Sequence, residues 1–345
     1  MPQLDKDTRL ALNLPSVIFG TSSLGNLYQA TDIVTKKAII NECIVNSQGK
    51  VVFDTAGKYG AGLALEALGI CLEELNVNPA DIIISNKLGW YQTALLTNEP
   101  TFETGVWVDL KNDAVQKISY DGILECFEQG NKLLGRYAAQ MVSVHDPDEY
   151  LNATIDPLEK EHRYQDILNA YKALLSLKKQ GKVTSVGIGS KDWKVIQRIC
   201  TDVKLDWVMI ANSLTIHSHP SELIEFIAEL KDQNISVINS AVFNGGFLIG
   251  SDYYNYQKVN TNTTKGNALY LWRYRFYAIC RKFDVDPAQA CFDFGFNVPG
   301  VTAIALNTTK PEKIKVNIAM AEKKVPSEFW REMYNARLID LPINF

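Results

Sequence analysis

The sequence predicts an α/β protein folded as a (β/α)8 TIM barrel, with long loops after the third and seventh strands. Three observations predict it. Eight short apolar runs rich in β-branched residues recur along the chain, at 16–19, 51–53, 82–85, 141–144, 184–188, 207–211, 236–239 and 302–306. They are continuous and not alternating, as expected when both faces of a parallel strand are covered. Segments of helical periodicity lie between them, the order of a βα repeat. Finally, Gly20-Thr-Ser-Ser-Leu-Gly25 lacks both the glycine fingerprint of a doubly wound sheet and the Lys-Ser/Thr of a phosphate-binding loop. The open doubly wound sheet is the alternative architecture.

The helical segments follow in order. Residues 62–75 place Leu63, Leu65, Leu68, Ile70 and Leu72 at helical spacing. Residues 164–180 group Ile167, Leu168, Tyr171, Leu174, Leu175 and Leu177, and end in two lysines, Gln180 and Gly181, a C-terminal signal. Residues 191–199, 220–230, 269–283 and 311–321 follow the same logic, with Pro311 as a first-turn proline. Two connections are too long for plain turns. The stretch 91–119 carries Trp107 and few helix signals, and 244–267 is rich in Gly, Tyr, Asn and Thr. Loops after barrel strands sit at the active-site mouth, so the first reads as a substrate wall and the second as a cofactor clasp. Residues 329–345 are expected to pack across the barrel. Without repeat, low-complexity tract or linker, 1–345 reads as one domain.

Composition narrows the partners. At 46% hydrophobic and 21% charged, the chain has ordinary globular content. A net charge of −4 without a Lys/Arg cluster argues against nucleic acid and anionic membranes. The polar first residues lack the apolar stretch of a signal peptide, and no apolar run approaches the roughly 18 residues of a membrane span. A cytoplasmic enzyme, monomeric or a small homo-oligomer, is expected. The six cysteines are scattered with no Cys-x-x-Cys pair, which suits buried thiols in a reducing compartment. With only four histidines, and none at ligand spacing from a cysteine, no metal site is expected; His217 and His219 have no cysteine near them.

Four polar side chains fall at the ends of early strands: Asp54 and Tyr59 after the second, Lys87 after the third, His145 after the fourth. Taken singly, each has an ordinary reading as a cap, a surface turn residue, a solvated amine or a loop imidazole. Jointly, a barrel brings them to one mouth. A tyrosine hydroxyl titrates near 10 in water, and an ammonium beside it favours the phenolate. Lys87 could supply that charge, with Asp54 as the partner a buried amine needs. His145 could bond and orient a reacting oxygen. This is general acid–base equipment for a carbonyl or hydroxyl, and it moves no electrons, so a nicotinamide cofactor is required as hydride donor or acceptor.

Asp54-Thr-Ala-Gly-Lys-Tyr59-Gly, the lysine after the third strand and Val144-His145-Asp146 at the fourth resemble the aldo-keto reductase superfamily, over residues 16 to 333. The resemblance implies Tyr59 as general acid/base, Lys87 and Asp54 as its tuning pair and His145 as the orienting residue. It also implies a cofactor set of Gly20, Thr21, Ser190, Asn212, Ser240, Ala241, Asn307, Thr308, Thr309, Lys313 and Asn317. In that set, backbone amides at the helix following Asn307 can hold phosphate. The chain departs from the family pattern in several places. Gly189-Ser190 stands where many members have Ser-Asn, Ser213 where they have Gln, and Ser240 where a tyrosine stacks on nicotinamide. Asn307 stands where members that prefer NADP carry a lysine. That loss of a cation favours NAD, although Lys310 and Lys313 could compensate for a 2′-phosphate.

The run Val186-Gly-Ile-Gly-Ser190, the Asn239-Ser-Ala241 start of the seventh loop and His145-Asp-Pro-Asp148 are most similar to the sugar-dehydrogenase branch. That branch holds L-fucose, L-galactose and D-threo-aldose 1-dehydrogenases, with pyridoxal 4-dehydrogenase as a relative. It implies oxidation of a sugar hemiacetal to a lactone, with Trp90, Trp107 and Tyr91 stacking on the sugar unless they serve only loop packing. The alternatives are a reductase of aldehydes and ketones that consumes NADPH, and a non-catalytic cofactor-sensing subunit. The four intact polar residues argue against the last.

Overall fold

The computed structural model describes residues 12–340. Its eight central strands are β1 (Val17–Gly20), β2 (Val51–Ala56), β3 (Ile82–Leu88), β4 (Met141–His145), β5 (Ser185–Ser190), β6 (Trp207–Ala211), β7 (Ser236–Ser240) and β8 (Val301–Leu306). All pair in parallel with their chain neighbours, and β8 returns to β1, which closes the barrel. The predicted strands are all present, but β2 and β3 run three residues further than the apolar runs. Polar residues continue the ladder there, with Asp54 opposite Ser85 and Ala56 opposite Lys87. Asp54 and Lys87 are therefore strand residues, set by sheet register and not by loop conformation.

Two layers of apolar side chains hold the barrel. Ile18, Val52, Met141, Trp207, Met209, Ile238 and Ala303 fill its interior. The Trp207 indole depends on Gly187 opposite it, where any Cβ would lie 2.1 Å from the ring. The outer faces of the strands pack against the helices in one continuous core that includes Phe53, Leu68, Ile84, Leu174 and Ile227. Burial of both faces is why the strand runs are continuous in sequence.

The predicted helices appear as Leu63–Glu74, Pro157–Lys179, Trp193–Asp202, Ser221–Asp232, Thr264–Phe283 and Glu312–Ala319. Pro311 sits at the N-cap of the last of these, just outside its first turn. Helices Ile33–Asn46, Tyr120–Leu133, Pro147–Asn152 and Pro287–Asn297 went unpredicted. Their start signals were legible nonetheless. The side chains of Asp32, Ser119 and Asp286 each accept a first-turn N–H, and Pro147 and Pro287 open their helices.

The long 91–119 connection is half sheet: Trp90–Ala94 and Asn112–Gln116 form an antiparallel hairpin. The 244–267 connection holds a short turn at Phe247–Ile249 and a small hairpin of Tyr253–Tyr254 with Gln257–Lys258. In the C-terminal region, Phe329, Trp330 and Met333 of helix Ser327–Asn335 share a core with Phe276 and Phe294 of the outer helices and with Ile216 and Phe247 of the loops after β6 and β7. The Asp340 N–H then donates to His219 Nε2 at 3.1 Å. Residues 341–345 lie outside the described residues. No helix among the described residues is long and apolar enough to cross a membrane.

Candidate active site

The four strand-end residues meet. Lys87 Nζ contacts Asp54 Oδ2 and donates to the Tyr59 hydroxyl at 3.0 Å. The His145 ring stands edge-on to the Tyr59 ring, with centroids 5.5 Å apart. Asp54, Lys87 and His145 are buried, at 3–4% exposure, while Tyr59 keeps an edge at the mouth. Tyr59 is placed by a tight turn after β2 in which its N–H donates to the Ala56 carbonyl at 3.1 Å. Gly60 adopts φ 63°, and a Cβ there would lie 2.3 Å from the Gly25 carbonyl oxygen. The loop after β1 can thus sit flush on the tyrosine turn only because both positions are glycine.

The electrostatics are partly as expected. Burial opposes the Lys87 charge, but Asp54 and Tyr59 beside it push the ammonium well above its ordinary value. Burial pushes the Asp54 carboxyl up while Lys87 pulls it back. The two partners pull in opposite senses, and their direct contact decides for the ionised pair. Tyr59 differs from expectation. Lys87 does lower its hydroxyl, but burial outweighs that, and the net shift is upward. His145 is held well below its usual range by burial and by Lys58 and Lys87. At neutral pH the site therefore holds a protonated phenol, a neutral imidazole and an ion pair.

A second cluster went unnoticed in the sequence. Lys58, in the middle of the Asp54–Tyr59 motif, is buried with Glu103 and Glu149 both at 2.7 Å and Asp146 at 3.6 Å. Lys191, after β5, contacts Glu149 and lies 3.8 Å from Asp146. Asp146 Oδ2 is also 3.5 Å from His145 Nε2. In the sequence this cluster shows only as the run of charges in 146–149 beside the motif histidine, because its partners Lys58, Glu103 and Lys191 lie far away along the chain.

Of the substrate candidates, Trp107 packs on Tyr59 with ring centroids 5.8 Å apart. Trp90 lies in the same cluster, tilted on Phe102 at 5.5 Å. Tyr91 instead faces Lys117 across the hairpin, its ring 4.3 Å from the ammonium.

The cofactor candidates form an arc from β5 round to β8. Asn212 is buried with φ 62°, its N–H donates to the Ser240 carbonyl at 3.2 Å, and its Oδ1 has no partner. Ala241 is also left-handed, at φ 54°. Two hydroxyls of the arc bond locally, Ser190 to the Asp192 carbonyl and Ser240 to the Ile210 carbonyl, both at 3.3 Å. Gly20 and Thr21 stand behind the arc; the Thr21 hydroxyl is buried and donates to the Asp54 carbonyl at 3.1 Å. Asn307 accepts from Ser23 at 2.7 Å and donates to Ser22 at 3.0 Å. Beyond it opens a cavity of about 1020 Å³ lined by Tyr28, Asn307, Thr308, Thr309, Lys313 and Asn317, with Lys310, Lys323 and Lys324 at its rim. Tyr28 stacks on Tyr253 at 6.5 Å, joining the loops after β1 and β7.

These residues fit a nicotinamide dinucleotide. An orphaned, buried amide oxygen at Asn212 suits a carboxamide N–H donor. The lysine-rimmed cavity before helix Glu312–Ala319 suits a phosphate-bearing nucleoside.

Known proteins resemble the chain over nearly its whole length. The Aldo/keto reductase family matches residues 16–337. The chain is 25% identical to pyridoxal 4-dehydrogenase of Microbacterium luteolum over 347 residues, covering 96% of each chain. It is also 25% identical to D-threo-aldose 1-dehydrogenase of a Pseudomonas species over 345 residues, again at 96% of each. Among solved structures, it resembles an aldo-keto reductase of Bacillus halodurans in its holo form (TM-score 0.65, 18% identity, 96% of this chain and 93% of that one). It also resembles the glycerol dehydrogenase of Gluconobacter oxydans (TM-score 0.67, 15% identity, 97% and 96%). The match spans nearly the whole barrel, and the chain belongs to the Aldo/keto reductase family of oxidoreductases.

Proposed function

We propose that this enzyme oxidises the hemiacetal carbon of a sugar to a lactone, with Tyr59 as general acid/base. The observation that carries the proposal is the Tyr59 hydroxyl held 3.0 Å from an amine that is itself paired with a buried carboxylate. An anomeric hydroxyl placed against Tyr59 gives its proton to the phenolate as the C1–O bond becomes a carbonyl. A nicotinamide bound at Asn212, Ser190 and Ser240 would accept the hydride leaving C1. Lys87 stabilises the phenolate before transfer, and Asp54 keeps Lys87 charged and aimed. His145, neutral, bonds the reacting oxygen without competing for its proton. Trp107, and Trp90 behind it, form the wall on which a sugar face rests. The two curated relatives, both dehydrogenases, one of an aldose and one of pyridoxal, support a cyclic substrate.

A second reading is reduction of aldehydes or ketones with NADPH. It is favoured by the upward shift of Tyr59, which rests protonated and ready to donate. On cofactor choice we favour NAD, because Asn307 offers no charge and already bonds Ser22 and Ser23.

Initial rates by nicotinamide absorbance, with NAD and NADP in parallel, test both readings. The panel is L-fucose, L-galactose, D-arabinose and pyridoxal, with an aromatic aldehyde in the reducing direction. Sugar oxidation with NAD is the expected result. Aldehyde reduction by NADPH alone would establish the second reading and overturn the first.

A further inference from the structure

We propose that Lys58 and Glu103 are positioning residues for specificity, which clamp the β3 loop onto the barrel mouth and seat the Trp107 indole as a fixed wall for a cyclic substrate. The inference rests on the function proposed above and deepens it.

Glu103 divides its carboxylate between two partners. Oε1 lies 2.7 Å from Lys58 Nζ, and Oε2 accepts the Trp107 indole N–H at 2.7 Å. The Lys58 side chain is 4% exposed and also holds Glu149 and Asp146. One ammonium thus ties together the loops after β2, β3 and β4. Lys58 is the cation these carboxylates share: without it Glu103 would lose its ammonium partner, and Glu149 and Asp146 would keep only Lys191 between them among the ion pairs described. The backbone is fixed on the same side. Tyr28 N–H donates to the Val106 carbonyl at 2.8 Å, Val108 N–H to the Asn26 carbonyl at 3.1 Å, and Leu27 bridges Trp107. Glu103 and Asp109 bracket this segment in the left-handed region, at φ 43° and 54°. Side chains other than glycine adopt that conformation at a cost, and it persists where surrounding contacts over-determine it.

The consequence falls on Tyr59. With its N–H turned to Glu103, the indole lies tilted at 36° to the Tyr59 ring, 5.8 Å away. A ring-shaped substrate needs that wall at a constant distance from the reacting oxygen; a small acyclic aldehyde does not. Lys58 also adjoins Asp146, which is 3.5 Å from His145 Nε2, so the clamp and the orienting histidine share one frame.

The test uses the full chain and two readouts. Hydrogen–deuterium exchange of peptides covering 103–108 is expected to quicken about tenfold in Glu103→Ala, since the segment opens locally once its anchor is lost. Lys58→Met is expected to do the same. In kinetics, Glu103→Ala is expected to lose about tenfold more kcat/KM on L-fucose than on propanal, mainly through KM. Glu103→Gln, which keeps an acceptor oxygen for the indole, recovers most of that loss. On a Trp107→Ala background, Glu103→Ala adds nothing. Unchanged exchange, additive losses in the double variant, or equal losses on both substrates would each overturn the proposal. A wild-type enzyme that turns over neither sugar nor aldehyde would sink the functional reading instead, and the exchange result on Glu103→Ala would still decide the clamp. Should Lys58→Met fail to fold, the two Glu103 variants carry the test alone.

Discussion

The barrel mouth divides into two arcs that rest on different physics. On the β2–β4 side, charged groups are buried and paired: Asp54 with Lys87, Lys58 with Glu103 and Glu149. On the β5–β8 side, neutral side chains bond locally: Ser190, Ser240 and Asn307 each hold a nearby carbonyl or hydroxyl. The lysines there, Lys310 and Lys313, line an open cavity. The first arc is preorganised, since its charges are fixed before substrate arrives. The second is adaptable, offering an orphaned acceptor at Asn212 and room for a nucleotide. A buried charge must be paired where it stands, whereas a polar neutral group can wait for a ligand. Substitutions in the first arc should therefore cost stability and chemistry together, and those in the second should shift affinity alone.

The largest effect tests whether the charged arc serves chemistry at all. Tyr59→Phe removes one oxygen and keeps the ring packed against Trp107 and His145. A drop in kcat of about a thousandfold is expected, with little change in cofactor affinity, the scale of a lost general acid/base. Retention of kcat within about tenfold would remove Tyr59 from the role.

Lys87→Met asks whether that arc is also structural. Breaking a buried pair on one side strands the other charge, at a cost of about 3–5 kcal/mol in unfolding free energy. Urea denaturation of the variant should show it, and Lys87→Met with Asp54→Leu should regain part of it. Equal stability of single and double variants would mean that the Asp54 charge is not stranded.

How much of this contrast the sequence carried depends on what each residue's partner is. The strands were legible because burial on both faces leaves a continuous apolar run, but their ends were not: Asp54 and Lys87 extend the ladder with polar side chains that resemble loop. The catalytic candidates were legible because Asp, Tyr, Lys and His are informative by type. Lys58 was not, though it lies beside Tyr59, because its meaning comes from Glu103 in a loop whose path no periodicity reveals. Helix Ile33–Asn46 hid behind weak amphipathicity while its Asp32 cap stood in view. In the neutral arc, the aligned positions of Ser240 and Asn307 could be read, but the pairing of Tyr28 with Tyr253 could not.

The pH dependence sharpens the contrast further. Tyr59 is shifted up, so it stays protonated through neutral pH. Oxidation needs the phenolate, and its rate should rise with pH by up to about tenfold per unit until Tyr59 ionises. Reduction needs the phenol and should stay level, then fall on the alkaline side. His145 is shifted down, so neither profile should step near 6.5, its ordinary value. A step there in both directions would mean that the imidazole takes up a proton in turnover.

The smallest effect probes the neutral arc. Asn307→Lys restores a cation at the edge of the cavity, and a charge-assisted bond to a 2′-phosphate should tighten NADP about tenfold while leaving NAD nearly level. The gain is limited from within the structure. Asn307 now accepts from Ser23 and donates to Ser22, and a lysine keeps only the donor half, so the loop after β1 loses one of its ties to β8. Titration of protein fluorescence with each cofactor measures both affinities without turnover. Unmoved NADP affinity would locate the phosphate at Lys310 and Lys313 instead. The arc would then hold cofactor by rim charges already present, and the difference between the two arcs would lie in exposure rather than in charge.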